Sequence, residues 1–156
     1  MTRTNVMRLL DAAGIPYETR EYSWDESDLS GTHAAEAIGL PPEQVFKTLV
    51  ARGDKTGPLV FCIPVAENLE LRKAAAASGN KRVEMLPLKE LSGLTGYVRG
   101  GCSPIGMKKK FPTCIDETAI LFDAIAVSAG MRGEQIVLSP AALAEYIGAE
   151  FADLTV

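Results

Sequence analysis

The sequence predicts an α/β fold in one domain. Helical and strand-like segments alternate along the whole chain, glycines and prolines punctuate them at regular intervals, and no repeat, low-complexity tract or linker interrupts the series. One domain over residues 1–156 is therefore expected. A chain of this length buries roughly 68–70% of the surface its unfolded form exposes, which allows a sizeable core without disulfides or a structural metal.

Each element has its own signal. Val6, Leu9, Leu10 and Ala13 recur at helical spacing, Gly14 stands where a C-terminal cap belongs, and Pro16 prevents continuation. Tyr17 to Tyr22 is β-favouring, and the acidic stretch from Asp25 to Asp28 reads as a loop before an Ala-rich helix that ends at Gly39. VFKTLVA and LVFCIPV flank Gly53 to Gly57, the pattern of two strands joined by a five-residue connection. Leu69 to Ser78, with four consecutive alanines, predicts a helix stopped by Gly79-Asn80. Val83 to Met85 reads as a short strand and Pro87 to Leu91 as a helical turn. After a Gly-rich stretch come three β-like runs, Thr113 to Asp116, Ala124 to Ser128 and Gln135 to Leu138. Ser139-Pro140 then opens a helix that runs to Gly148, and FADLTV returns as a strand.

Composition narrows the function classes. His33 is the only histidine, and Cys62, Cys102 and Cys114 form no CxxC pair, so neither a protein-built zinc site nor a disulfide framework is expected. The scattered thiols suit a reducing cytosol. The opening MTRTNVMRLLDAAG has no apolar run of signal-peptide length, and no segment approaches the ~20 residues of a spanning helix, which predicts a soluble cytoplasmic protein without a membrane partner. The net charge of −4 argues against a nucleic-acid partner when averaged over the chain. By segment it divides into −5 for residues 1–71, +7 for residues 72–110 and −6 for residues 111–156. The central segment therefore offers phosphate contacts if the fold gathers its side chains on one face; otherwise it is a solvated charged surface.

Lys47 is the first candidate for chemistry, because it stands inside the apolar strand Val45-Phe46-Lys47-Thr48-Leu49-Val50. Partial burial of a lysine lowers its pKa and suits a base or nucleophile, a charged lysine positions a phosphate or ester carbonyl, and a lysine guarding a strand edge does neither. The second candidate is the loop Arg99-Gly100-Gly101-Cys102-Ser103-Pro104-Ile105-Gly106, whose glycines and proline form a pre-shaped turn able to aim amides at a phosphate or oxyanion, or serve only as a turn. It is neither a P-loop nor a dinucleotide fingerprint. Cys102 invites a nucleophile reading, but the one imidazole, His33, lies in a different element. Ser128-Ala129-Gly130-Met131-Arg132-Gly133 reads as a hairpin turn with Arg132 facing a phosphate or water. Of the aromatic residues, Tyr22 is the best placed to stack on a base.

Phe46-Lys47-Thr48-Leu49, Gly96 to Gly106 and Ser128 to Gly133, in this order and spacing, carry a resemblance. Arg72-Lys73-Ala74, Lys81 to Met85 and Gly148 to Asp153 extend it over nearly the whole chain. The sequence resembles the YbaK/EbsC family of free-standing aminoacyl-tRNA editing proteins, which is related to the insertion domain of bacterial prolyl-tRNA synthetases. It departs from that pattern at Ser30, where several relatives carry an aromatic residue, and at Gln135, where some carry an acid.

The resemblance implies a mixed, barrel-like sheet flanked by helices and an enzyme that deacylates mischarged tRNA, most typically Cys-tRNA(Pro), without metal or cofactor. It implies Lys47 as the essential residue. Tyr22, Thr48, Gly100, Gly101, Ser103, Pro104, Gly106 and Gln135 are implied as substrate-binding. In the cysteine-specific branch the substrate's own thiol attacks its ester carbonyl and leaves as a cyclic thiolactone. The implied partners are the acceptor end of aminoacyl-tRNA and prolyl-tRNA synthetase. Two other readings stay open: a deacylase for Ala-tRNA or Ser-tRNA, and a non-catalytic module that holds tRNA or a synthetase.

Overall fold

The computed structural model describes residues 3–156. In chain order it contains α1 (Asn5–Ala13), β1 (Glu18–Glu21), α2 (Gly31–Ile38), β2 (Phe46–Gly53), β3 (Gly57–Pro64), α3 (Leu71–Ser78), β4 (Val83–Met85), α4 (Leu88–Thr95), β5 (Thr113–Asp116), β6 (Ile125–Ser128), β7 (Glu134–Leu138), α5 (Pro140–Ile147) and β8 (Glu150–Ala152). Short 3-10 helices at Pro42–Gln44 and Glu117–Leu121 were not expected from the sequence.

The helix ends are local chemistry. Thr4, Ser30 and Ser139 each accept the amide three residues on, and Glu70 accepts from Arg72 and Lys73, which satisfies donors that have no intrahelical partner. Gly14 and Gly148 close α1 and α5 in the left-handed conformation, at φ 70° and 69°. The expected turn at Pro87 to Leu91 is longer than predicted: α4 continues to Thr95, whose hydroxyl donates to the Leu91 carbonyl. The connection between β2 and β3 is shorter, because the ladder runs on to pair Gly53 with Gly57 and leaves only Asp54 to Thr56 outside it.

The strands form two sheets, an antiparallel one ordered β1-β7-β6 and a mixed one ordered β4-β2-β3-β5-β8. The expected barrel-like sheet is thus two open sheets, which meet at a single parallel bridge between Val45 and Ala126. The reason lies in how β2 spends its two edges. One edge pairs with β3 along all eight residues, while the other meets β4 only over Ala51 to Gly53. The Val65 amide donates to the Val45 carbonyl and the Leu86 amide to the Val50 carbonyl. With the alternation of an antiparallel ladder, these bonds point the N–H and C=O of Thr48 away from β3, into the notch between the sheets.

Three apolar clusters hold this arrangement. The largest packs Val6 and Leu10 of α1 and Leu143 of α5 against Phe46, Val50, Val127 and Ile136. Ala74 and Ala75 of α3 cover Ala51, Leu59, Phe61 and Ile63, so β3 is buried on both faces, as its unbroken apolar run requires. Ala35 and Ile38 of α2 close over Val45, Val65, Ala126 and Val137. Among the described residues, no helix is long and apolar enough to cross a membrane.

Candidate functional site

The unpaired stretch of β2 opens onto a cavity of about 430 Å³. Lys47 and Thr48 come from β2, Tyr22 from the residue after β1, and Ser128 and Gln135 from the paired ends of β6 and β7. Arg99, Gly100 and Cys102 form the glycine-loop wall, Leu29 to Gly31 adjoin it at Gly100, and Met85, Leu86, Leu88 and Leu91 make an apolar end. Met85 and Leu88 are 43% and 58% exposed, so that end opens to solvent as a greasy rim.

Lys47 is half-buried and, among the described residues, its ammonium makes no hydrogen bond or ion pair. Burial pulls its pKa below the ordinary 10.5, and the Glu67 carboxylate partly opposes this. Gln135 is 6% exposed, and its Oε1 is buried behind the cavity wall without a hydrogen-bond donor. The Thr48 hydroxyl lies 3.9 Å from the Cys62 thiol. Tyr22 meets the His33 ring edge-on at 6.5 Å between centroids, and His33 Nδ1 is 3.8 Å from Asp28. Burial pushes the Cys102 thiol up to about 12, which keeps it protonated and unreactive near neutral pH.

Five of the nine residues singled out in the sequence face this cavity: Lys47, Tyr22, Thr48, Gly100 and Gln135. Gly101, Ser103, Pro104 and Gly106 do not. The Gly101 amide, a candidate oxyanion donor, is already given to the Val98 carbonyl at 3.0 Å. Ser103 is fully buried and its hydroxyl accepts from the Ile105 amide at 3.3 Å, while the Tyr97 hydroxyl donates to the Ile105 carbonyl. The second half of the motif is therefore an anchor. Pro104 and Gly106 emerge at a different cavity, beside Leu9, Phe111 and Tyr146. Ser128 and Arg99 line the main cavity and were not chosen from sequence, although both stand inside the quoted motifs.

Little of the basic segment reaches this cavity. Lys73 is held by Asp153 at 3.0 Å and the Thr155 carbonyl at 2.7 Å, the backbone amides of Lys81 and Arg82 donate to Asp54, and Lys108 donates to the Gly93 carbonyl near the end of α4. Of that segment's cations, only Arg99 lines the cavity. Among the described residues, no group of three or more His, Cys, Asp or Glu is placed to hold a metal ion.

The model of the aminoacyl-tRNA editing domain family matches residues 30–146, which include nearly every wall of this cavity. The chain belongs to the aminoacyl-tRNA editing domain family. It is 51% identical over 153 residues to an Enterococcus faecalis protein, EbsC, whose name proposes a Cys-tRNA(Pro)/Cys-tRNA(Cys) deacylase; the match covers 98% of this chain and 93% of that one. A crystal structure of a proposed trans-editing enzyme for prolyl-tRNA synthetase superposes with a TM-score of 0.84 at 26% identity, covering 99% of both chains. A hypothetical protein, APE2540, shares the fold at a TM-score of 0.88 and 22% identity, over 98% of this chain and 100% of that one. For this member of the editing family, the open edge of β2, from Phe46 to Val50, lies within the matched region.

Proposed function

We propose that this editing-domain protein is a trans-acting deacylase that clears cysteine from mischarged tRNA(Pro). The observation that carries the reading is Lys47: among the described residues its ammonium makes no hydrogen bond or salt bridge and feels only the longer-range pull of Glu67, and it lines a cavity whose other end is apolar. An aminoacylated tRNA end presents matching groups: a phosphate and an ester carbonyl for the ammonium, and a ribose and base for the rim.

In this reading the substrate supplies the nucleophile. The cysteine sulfur attacks the carbonyl carbon of its own ester, forming the C–S bond as the ester C–O bond breaks. The thiol proton ends on the departing ribose oxygen, leaving a four-membered thiolactone and intact tRNA. Holding sulfur and carbonyl in contact gives the step the high effective molarity of an intramolecular reaction. Lys47 stabilises the negative charge that develops on the carbonyl oxygen, with the Thr48 amide directed into the same notch. Cys102, held protonated by its burial, acts as wall. Recognition of the tRNA body falls to prolyl-tRNA synthetase, since Arg99 is the one cation of the basic segment that lines the cavity.

The test is a deacylation panel of Cys-, Ala-, Ser- and Pro-tRNA(Pro), with and without prolyl-tRNA synthetase. Shortened lifetime of the cysteinyl ester alone, lost in Lys47→Ala, is the expected result. A cysteinyl ester as long-lived with the protein as in buffer overturns the reading, and turnover of the Ala or Ser ester replaces thiol attack with hydrolysis by water.

A further inference from the structure

We infer that Arg132, in the turn between β6 and β7, is a positioning residue that holds Gly100 of the glycine loop against Leu29 of the acidic loop, two adjoining residues of the cavity wall; this rests on the deacylase reading. Neither expectation for Arg132, a phosphate contact or a solvated hairpin arginine, matches what its side chain touches. Nε donates to the Arg99 carbonyl at 2.8 Å, directly before Gly100. The guanidinium carbon lies 5.2 Å from the centre of the Trp24 ring, and Nη1 is 3.7 Å from Glu26. One side chain thereby joins the glycine loop to the acidic loop that runs from Trp24 to Ser30.

The backbones around the clamp leave no slack. A Cβ on Gly100 would meet Leu29 at 3.4 Å and Arg132 Nε at 3.5 Å, so the two walls already touch across this glycine. A Cβ on Gly101 would lie 3.1 Å from the Arg132 amide nitrogen, and one on Gly133 would lie 2.6 Å from Trp24. Arginine suits the position because its planar fork donates within the plane while its face covers an indole; a lysine ammonium keeps the charge and loses that combination. The Arg132 side chain is 22% exposed, so it is largely committed to these partners. Its effect on chemistry passes through Gly100 and Leu29, both of which line the cavity.

The experiment compares Arg132→Ala and Arg132→Lys with wild type in steady-state deacylation of Cys-tRNA(Pro). Since misplacement of about 1 Å costs on the order of 10²-fold, kcat is expected to fall about 10- to 100-fold in both variants, with KM changed less than about threefold. Millimolar guanidinium is expected to restore part of the Arg132→Ala rate and none of the Lys47→Ala rate. A lysine variant with wild-type kcat overturns the clamp, as does a loss confined to KM, which makes Arg132 a phosphate contact. Amide hydrogen exchange at Gly101, whose N–H is bonded to the Val98 carbonyl, tests the clamp without substrate, and so separates its failure from failure of the deacylase reading. Faster exchange in Arg132→Lys than in wild type, at equal global stability, supports it. Equal rates overturn it, and the lysine variant serves for this measurement if the alanine variant does not fold.

Discussion

The Gly101 amide donates to the Val98 carbonyl at 3.0 Å, closing a turn that presents Gly100 to the cavity and keeps Gly101 behind it. In the glycine pair, then, one residue forms the wall and the other lets the wall pack. A Cβ on Gly101 would press on Met131 and on the Arg132 backbone at 3.1–3.2 Å. Gly101→Ala is expected to fold, with the loop displaced by a few tenths of an ångström and the rate of ester cleavage lowered about 3- to 10-fold. Single-turnover kinetics beside a thermal melt check this; an unchanged rate means the loop has room to spare.

Lys47→Met is expected to lower kcat by about 10²–10³, the usual cost of removing one donor from a developing oxyanion. The same change should stabilise the fold at neutral pH. Burial lowers the Lys47 pKa below 10.5, so the folded state resists a proton that the unfolded chain holds. That penalty is present below the folded pKa and fades as pH rises from there toward 10.5. Urea titrations should show Lys47→Met more stable than wild type at pH 7, with the gap narrowing by pH 10.

Replacing Cys102 with alanine should leave kcat within about threefold of wild type, because its thiol, pushed up to about 12 by burial, supplies no thiolate near neutral pH. A loss of 10²-fold or more would make Cys102 a participant and replace the substrate-thiol mechanism.

Glu134 pairs with Glu21 across β7 and β1, is 3% exposed, and has an Oε2 without a hydrogen-bond partner. Burial, and secondarily the Glu21 carboxylate, raise its pKa above the ordinary 4.5. A raised carboxyl pKa favours the fold below the unfolded value, and that contribution is lost as pH rises through the folded one. Glu134→Gln should therefore be more stable than wild type at pH 7 by about 1 kcal/mol, or roughly 2–4 °C, and less so at pH 4. Melting curves at the two pH values decide it.

Asn80 should matter for stability alone. Its Oδ1 accepts from the Lys55 and Thr56 amides at 2.8 and 3.0 Å, and its Nδ2 donates to Thr56 and Ser78. Gly53 leaves the space, since a Cβ there would overlap Asn80 at 2.3 Å. Asn80→Ala strands two backbone donors and should cost about 2–3 kcal/mol, with ester cleavage at low temperature unchanged. Thermal melts and assays well below the transition measure both.

Much of the architecture was legible along the chain because its signals are local. Thr113 to Asp116 and Val83 to Met85 carry their strand bounds in composition, and Gly14, Gly39, Gly79 and Gly148 stop helices wherever the rest of the chain goes. Lys47 stood out for the same reason, as a charge interrupting an apolar period. The 3-10 helix at Glu117–Leu121 had no such mark: the Asp116 carboxylate that caps it also accepts from the Leu154 amide, a partner 38 residues away.

Amino-acid order established the elements, their caps and the motifs that contain the cavity residues. Tertiary structure decided that the sheets stay open, that the notch left along Phe46 to Val50 becomes the cavity, and that Gly100 faces it while Ser103, Pro104 and Gly106 serve elsewhere. It also brought only Arg99, of a segment of charge +7, to the cavity. The division has a physical cause. Backbone preference and capping act within a few residues, whereas an unpaired edge or a turned-away side chain is fixed only when segments far apart in sequence compete for the same hydrogen bonds and the same buried space.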